Sequence, residues 1–194
     1  MPRLRMDAFK IAVKFYVRDS SFLTADEFVH VFHSWIQQQA VADHTLIDVA
    51  DYSHVKDGPG TVLVAHEANF YADRFDGRLG LTYSRKQPGG KTLKERLHQA
   101  IAAALEACAR LESDPRLEGR IKFNTDELLV TLNDRLNAPN TRETFAAIEP
   151  ELRGVLSEFF GAGPINLEHE ASERALFAVR ARSTTSAVPP ALSQ

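Results

Sequence analysis

From Thr45 to Lys86 the chain alternates extended runs with tight turns and leaves no room for a helix. Leu46-Ile47-Asp48-Val49-Ala50-Asp51 is one run, Thr61 to Tyr71 a second and Leu79 to Lys86 a third. Asp57-Gly58-Pro59-Gly60 and Asp76-Gly77 punctuate them as turns. Strands joined this closely pair antiparallel, because a parallel pair needs a crossover of about a dozen residues or more. Ahead of them, Phe9, Ile11, Val13, Phe15 and Val17 alternate with Lys10, Ala12, Lys14 and Tyr16, the period of a half-buried strand.

Three helices fit between and after these strands. Thr24 with Glu27 reads as a capping box, and Phe28, Val31, Phe32, Trp35 and Ile36 fall on one helical face. Thr92 with Glu95 is a second box. It opens the clearest stripe in the chain, Leu93, Leu97, Ile101, Ala104, Leu105, Cys108 and Leu111. Asn140 with Glu143 predicts a third cap, before apolar positions running from Phe145 to Phe160, and Pro150 predicts a kink or a fresh helix start within them. Ile121–Phe123 and Leu128–Asn133 read as a hairpin around Asn124-Thr125-Asp126, and Ile165–Glu170 with Ala175–Arg182 as another. The order is β-α-β-β-β-α-β-β-α-β-β, which predicts the α+β class: a largely antiparallel sheet with three main helices on one face. Residues 8–182 then form a single domain, between a flexible N-terminus (1–7) and a polar, Pro-containing tail (183–194).

Gly58-Pro59-Gly60-Thr61-Val62-Leu63-Val64-Ala65-His66-Glu67-Ala68 echoes Gly163-Pro164-Ile165-Asn166-Leu167-Glu168-His169-Glu170-Ala171. Two β-α-β-β units, 8–112 and 120–182, would account for the echo.

The 194 residues carry 23 Lys and Arg against 26 Asp and Glu, a net charge of −3. That argues against a broad nucleic-acid-binding surface. No apolar run approaches the ~20 residues that cross a bilayer. A single cysteine excludes an internal disulfide and suits a reducing cytoplasm, and Cys108 itself falls on a core stripe. The expected partners are therefore a second copy of the chain or a small anionic ligand, without nucleic acid or membrane. No motif specifies a cofactor.

Four places carry chemistry. His54, His66 and His169, with Asp48 and Asp51 and the neighbouring Glu67 and Glu170, supply imidazoles and carboxylates suited to acid–base work, with His66 and His169 converging if the repeat is real. Their spacing matches no zinc pattern. Arg85, Lys86, Gly90, Lys91 and Thr92 surround the turn that opens the second helix, where backbone N–H groups and basic side chains could hold an anion. Gly90-Lys91-Thr92 ends like a phosphate-binding loop, but Arg85 stands where the loop's first glycine belongs. Pro2 would offer a secondary amine if Met1 is removed. His30, His33 and Gln37 share one face of the first helix.

No nucleophile elbow occurs, and no catalytic constellation is legible. The reading favoured is a self-associating binding or assembly protein whose sheet face without helices is left for a partner, a ligand or a second copy of the chain, with Val62, Val64, Leu79, Leu81 and Tyr83 supplying its apolar surface. The alternative is a small enzyme acting on a polar or anionic metabolite by acid–base or metal-assisted chemistry through the His and Asp residues above.

Overall fold

A computed structural model of the chain describes residues 10–19, 23–172 and 175–188. It contains β1 (Ile11–Val17), α1 (Ala25–Gln38), β2 (Leu46–Asp51), β3 (Thr61–Ala65), β4 (Ala68–Asp73), β5 (Gly80–Arg85), α2 (Leu93–Ser113), β6 (Phe123–Leu132), α3 (Arg142–Phe160), β7 (Ile165–His169) and β8 (Phe177–Ser183). The strands form one sheet in the order β2-β3-β4-β5-β1-β6-β8-β7. Every neighbouring pair is antiparallel.

One face of each strand faces the helices. Ile11, Val13 and Phe15 of β1 line up with Leu81 and Tyr83 of β5, Leu128 and Val130 of β6, and Val179 and Ala181 of β8. All of these are buried in a single core with the apolar stripes of the helices. α1 packs on β2 and β3, α2 on β1 and β5, and α3 on β7 and α2. The structure is therefore the α+β fold with an antiparallel sheet and three helices that the strand and helix periods predicted. No helix among the described residues is long and apolar enough to cross a membrane.

Several boundaries differ from expectation. The run from Thr61 to Tyr71 is two strands, with His66-Glu67 as the turn between them. That turn contains no glycine or proline. It is held by its surroundings: His66 N–H donates to Thr45 O at 2.9 Å, and Lys86 N–H to Glu67 O at 2.9 Å. Conversely, Asn124-Thr125-Asp126 is not a turn. β6 runs through it as one strand, and the register against β1 jumps from Phe15↔Leu128 to Tyr16↔Asn124, leaving residues 125–127 as a bulge. α3 is capped by Thr141, whose hydroxyl accepts from Thr144 N–H at 3.2 Å, and it continues through Pro150 as one helix. Residues 183–188, expected in the tail, make contacts with the fold. Ala187 N–H donates to Thr125 O at 2.7 Å and Val188 N–H to Phe159 O at 3.1 Å, so the chain is tied down through Val188.

The sheet has an approximate internal two-fold in its connectivity. β4-β5-β1 on one side of centre corresponds to β7-β8-β6 on the other, and β1 pairs antiparallel with β6 between them. This relation matches β7 with β4, whereas the Gly-Pro/His-Glu-Ala echo matches β7 with β3. The echo therefore does not follow the symmetry of the fold, and duplicated units are not established.

Candidate functional site

The sheet face turned away from the helices carries a dense network of charged and polar side chains. Lys14 and Tyr16 project from β1 onto it. The alternation of β1 suggested an accessible mixed face, yet Lys14 is 4% exposed and Tyr16 fully buried. What covers them is the β4–β5 loop, residues 74–79, folded back across the strands.

Lys14 Nζ donates to Asp73 Oδ1 at 2.8 Å, to Asp76 Oδ1 at 2.6 Å and to Arg78 O at 2.9 Å, which places all three ammonium protons. Its stem lies across Gly80. A Cβ there would come within 2.6 Å of Lys14 Cε and 2.4 Å of Phe15 O, so only glycine leaves the passage open. Tyr16 donates its hydroxyl to Asp76 Oδ2 at 2.6 Å and accepts from Arg180 Nη1 at 2.9 Å. The Arg78 guanidinium stacks 3.7 Å from the Tyr16 ring centroid and grips Glu127 with two bonds of 2.9 and 3.1 Å. Arg180 reaches Glu170 at 2.6 Å and Glu127 at 2.9 Å, and Arg182 bridges Glu127 and Glu168. The β6 bulge delivers Glu127 to the centre of this network.

The electrostatics follow from that geometry. Burial, reinforced by the Asp76 carboxylate, pushes the Tyr16 phenol well above its ordinary value. Burial also opposes the charge of Asp76, but hydrogen bonds from Lys14 and Tyr16 outweigh it and hold the carboxyl below its usual range. Glu127 is depressed in the same way, burial being overcome by Arg78 and Arg180. Burial works against the Arg180 charge too, and Glu170 and Glu127 more than offset it.

Two adjoining cavities open beside the network. One, of about 230 Å³, has Ala12, Thr82 and Ser84 for its floor, with Tyr71, Pro59 and Leu129 around it. The other, of about 510 Å³, extends over Ala178 and Thr131 toward Arg135 and Leu176. Phe75 borders both and is 85% exposed. Its backbone is nevertheless fixed, because Phe75 N–H donates to Asp73 Oδ1 at 2.9 Å while Asp76 is anchored on Lys14 and Tyr16.

Apart from Glu170, which Arg180 grips, the residues nominated from sequence lie elsewhere. Asp48 and Asp51 sit on the exposed edge strand β2, and His54 in the loop after it. Asp51 Oδ1 accepts from Ser53 N–H at 2.8 Å, which with the Ser53 side chain and the nearby His54 lowers its carboxyl. His66 is exposed at the β3–β4 turn, and His169 ends β7. β3 and β7 stand six positions apart in the sheet, roughly 29 Å at ~4.8 Å per strand, so the two histidines do not share a site. His169 instead stacks on Phe145, ring centroids 5.5 Å apart, and bonds Asn140 Oδ1 at 2.6 Å. Asn140 Nδ2 in turn donates to the carbonyls of Glu170 and Ser172. That is a latch between loops.

At the anion turn, the place for an anion is taken from within. Glu95 accepts Lys91 N–H at 2.6 Å, and Thr92 Oγ1 accepts Glu95 N–H at 3.1 Å. Gly90 has φ +61°, and its carbonyl accepts from Arg96. Lys86 contributes its backbone to the β3–β4 turn, and Arg85 turns toward Tyr83. Cys108 is buried, with its thiol pushed well up. His30, His33 and Gln37 line a shallow surface beside Arg116. Pro2 lies outside the described residues. Among the described residues, no three His, Cys, Asp or Glu side chains gather to hold a metal ion.

Sequence reading missed the network because its members come from β1, the β4–β5 loop, β6 and β8, as many as 164 positions apart. One signal was available: a lysine and a tyrosine on the polar side of an otherwise apolar first strand. Leu79, Leu81 and Tyr83 were expected on this uncovered face, but they lie on the opposite side, under the helices. No protein-family model matches the chain, and no curated protein matches it either.

Proposed function

We propose that the chain is a non-catalytic binding and assembly protein whose uncovered sheet face is its working surface, and that the partner on that face is a second copy. The observation that carries this is Phe75: a large aromatic ring held out into solvent on an anchored loop, next to an apolar cavity on the same face. Knob and hole on one surface make it self-complementary, as a two-fold interface requires. In a face-to-face pair each Phe75 enters the cavity of the other copy.

Magnitudes set the strength. An aromatic side chain buries about 150–250 Å², or about 4–6 kcal/mol at ~25 cal/mol per Å². Two reciprocal rings supply about 8–12 kcal/mol against an association cost of ~4–15 kcal/mol, so the pair is at its strongest a micromolar dimer and not an obligate one. The buried ion network serves this role by rigidity, since a mobile mount would lose the entropy of ordering Phe75 on contact.

An acid–base enzyme built on His54, His66, His169, Asp48 and Asp51 would need them in one cleft; Asp51 and His54 are neighbours, but His66 and His169 stand on strands six positions apart, and His169 is half-buried against Phe145. Equilibrium sedimentation of the chain and of Phe75→Asp tests the assembly reading. A concentration-dependent dimer that Phe75→Asp abolishes supports it, and a monomer at all concentrations refutes it.

A further inference from the structure

The helix layer does not close over the sheet. α1 lies on β2 and β3 while α2 lies on β1 and β5. Between the α1–β2 loop and α2 is a cavity of about 570 Å³, a size typical of small-molecule sites. It is on the helix side of the sheet, away from the network and from Phe75. Ala102, Ala103 and Ala109 of α2 give it an apolar wall, and Ala42, His44 and Arg85 line it from the other elements.

His44 and Arg85 are set in fixed roles at this cavity by Tyr83 beneath them. His44 Nδ1 is 2.7 Å from Ala42 O, and since a carbonyl only accepts, Nδ1 carries the ring proton. With Nδ1 as the donor, Nε2 faces the Tyr83 hydroxyl, 3.1 Å away, as its acceptor. Tyr83 is fully buried, and burial holds its phenol above the ordinary value, so it stays an O–H donor. Its oxygen accepts from Arg85 Nη1 at 3.3 Å. The His44 ring is braced edge-on by Phe70 and Tyr83, centroids 5.5 and 5.6 Å away.

Arg85 is the group with capacity left. Nε donates to Gln87 O at 3.1 Å, and Nη1 to Tyr83. The guanidinium lies over Gly89, where a Cβ would come within 2.6 Å of Cζ, Nε and Nη2. Any other residue at position 89 would displace it. Held on three sides, Arg85 keeps Nη2 without a hydrogen bond to any described residue. A pre-positioned guanidinium edge beside an apolar wall matches an anionic head on an apolar body. Two acids also line the cavity; Glu106 is paired with Arg110 at 3.2 Å, which leaves Asp43 to balance Arg85 once a single carboxylate is bound and to act against a second negative charge on the occupant.

We propose that this cavity binds a small organic monocarboxylate, with the carboxylate on Arg85 Nη2 and the apolar body against the alanines of α2. The site is independent of self-association on the opposite face.

The test is a titration of the full ¹⁵N-labelled chain, followed by amide NMR, with benzoate, hexanoate, benzamide, terephthalate and inorganic phosphate. Benzoate or hexanoate should shift the amides of His44, Arg85 and Ala103 saturably at ~1–10 mM. Benzamide, terephthalate and phosphate should bind about tenfold more weakly or not at all. Arg85→Gln should weaken the carboxylate about tenfold, and Ala103→Phe should abolish binding by filling the cavity while leaving Arg85 in place. If Arg85→Gln does not fold, Arg85→Lys replaces it and should still lose binding, because it keeps charge without the planar edge. The proposal is overturned if neither carboxylate shifts these amides, if benzamide or phosphate binds as well, or if loss of the guanidinium leaves affinity unchanged.

Discussion

Lys14 Nζ lies 2.8 Å from Asp73 Oδ1 on the uncovered face of the sheet, and each side chain is only 5% exposed. Two opposite charges so far from water hold each other in place. Removing one strands the other, which costs about 3–5 kcal/mol, far more than the net worth of the pair. Lys14→Met should therefore lower the unfolding free energy by about 3 kcal/mol in urea melts, and Lys14→Met with Asp73→Asn should recover part of the loss. A double variant whose loss equals the sum of the Lys14→Met and Asp73→Asn losses would show that the two residues are not coupled.

Asp76 and Glu127 carry their network into the pH dependence. Their carboxyls sit below the ordinary values of 3.8 and 4.5. Groups depressed in the folded state stabilise fully above the unfolded value and lose that contribution as pH falls through the folded one. The urea midpoint should therefore hold down to about pH 4.5 and decline below it, more gently in Glu127→Gln. At the other limit Tyr16 and Tyr83 are raised above 10.0, so their contribution is complete below that pH and fades as pH climbs past it. In an alkaline absorbance titration these two phenols should ionise only with unfolding, and Tyr16→Phe should remove about half of that late step.

Asn140 and His169 predict a purely structural effect. Asn140→Ala leaves the Glu170 and Ser172 carbonyls and the His169 ring without their partner, a loss of about 1–3 kcal/mol. His66→Ala, at an exposed turn, should stay within about 0.5 kcal/mol of the parent. Thermal unfolding of both variants checks the contrast, and a comparable loss in His66→Ala would contradict it.

The sequence made the sheet and helices readable because both rest on local periods. The stripe from Leu93 to Leu111 and the alternation from Ile11 to Val17 are set by neighbours in the chain, and both elements appear as expected. The errors fall where tertiary contacts override local chemistry. His66-Glu67 turns without a turn residue because β2 and β5 hold it, and Asn124-Thr125-Asp126 fails to turn because β1 pairs past it. Of the residues nominated for chemistry, Arg85 alone enters the cavity over Tyr83, and His44, which meets the same Tyr83 hydroxyl, belongs to a loop with no motif. The uncovered face was anticipated, but its occupants were not. Lys14, Asp76, Glu127 and Arg180 become neighbours only through strand order, which no local pattern encodes.

Phe75 gives the most direct test of the working surface. Equilibrium sedimentation at ~5–200 µM should show the 21.6 kDa chain passing from monomer to a species of twice that mass, with a micromolar dissociation constant. Phe75→Asp should remain at 21.6 kDa throughout, with an unchanged melting temperature. A parent chain that stays monomeric over that range, or a Phe75→Asp variant that dimerises as well as the parent, would contradict assembly through this face.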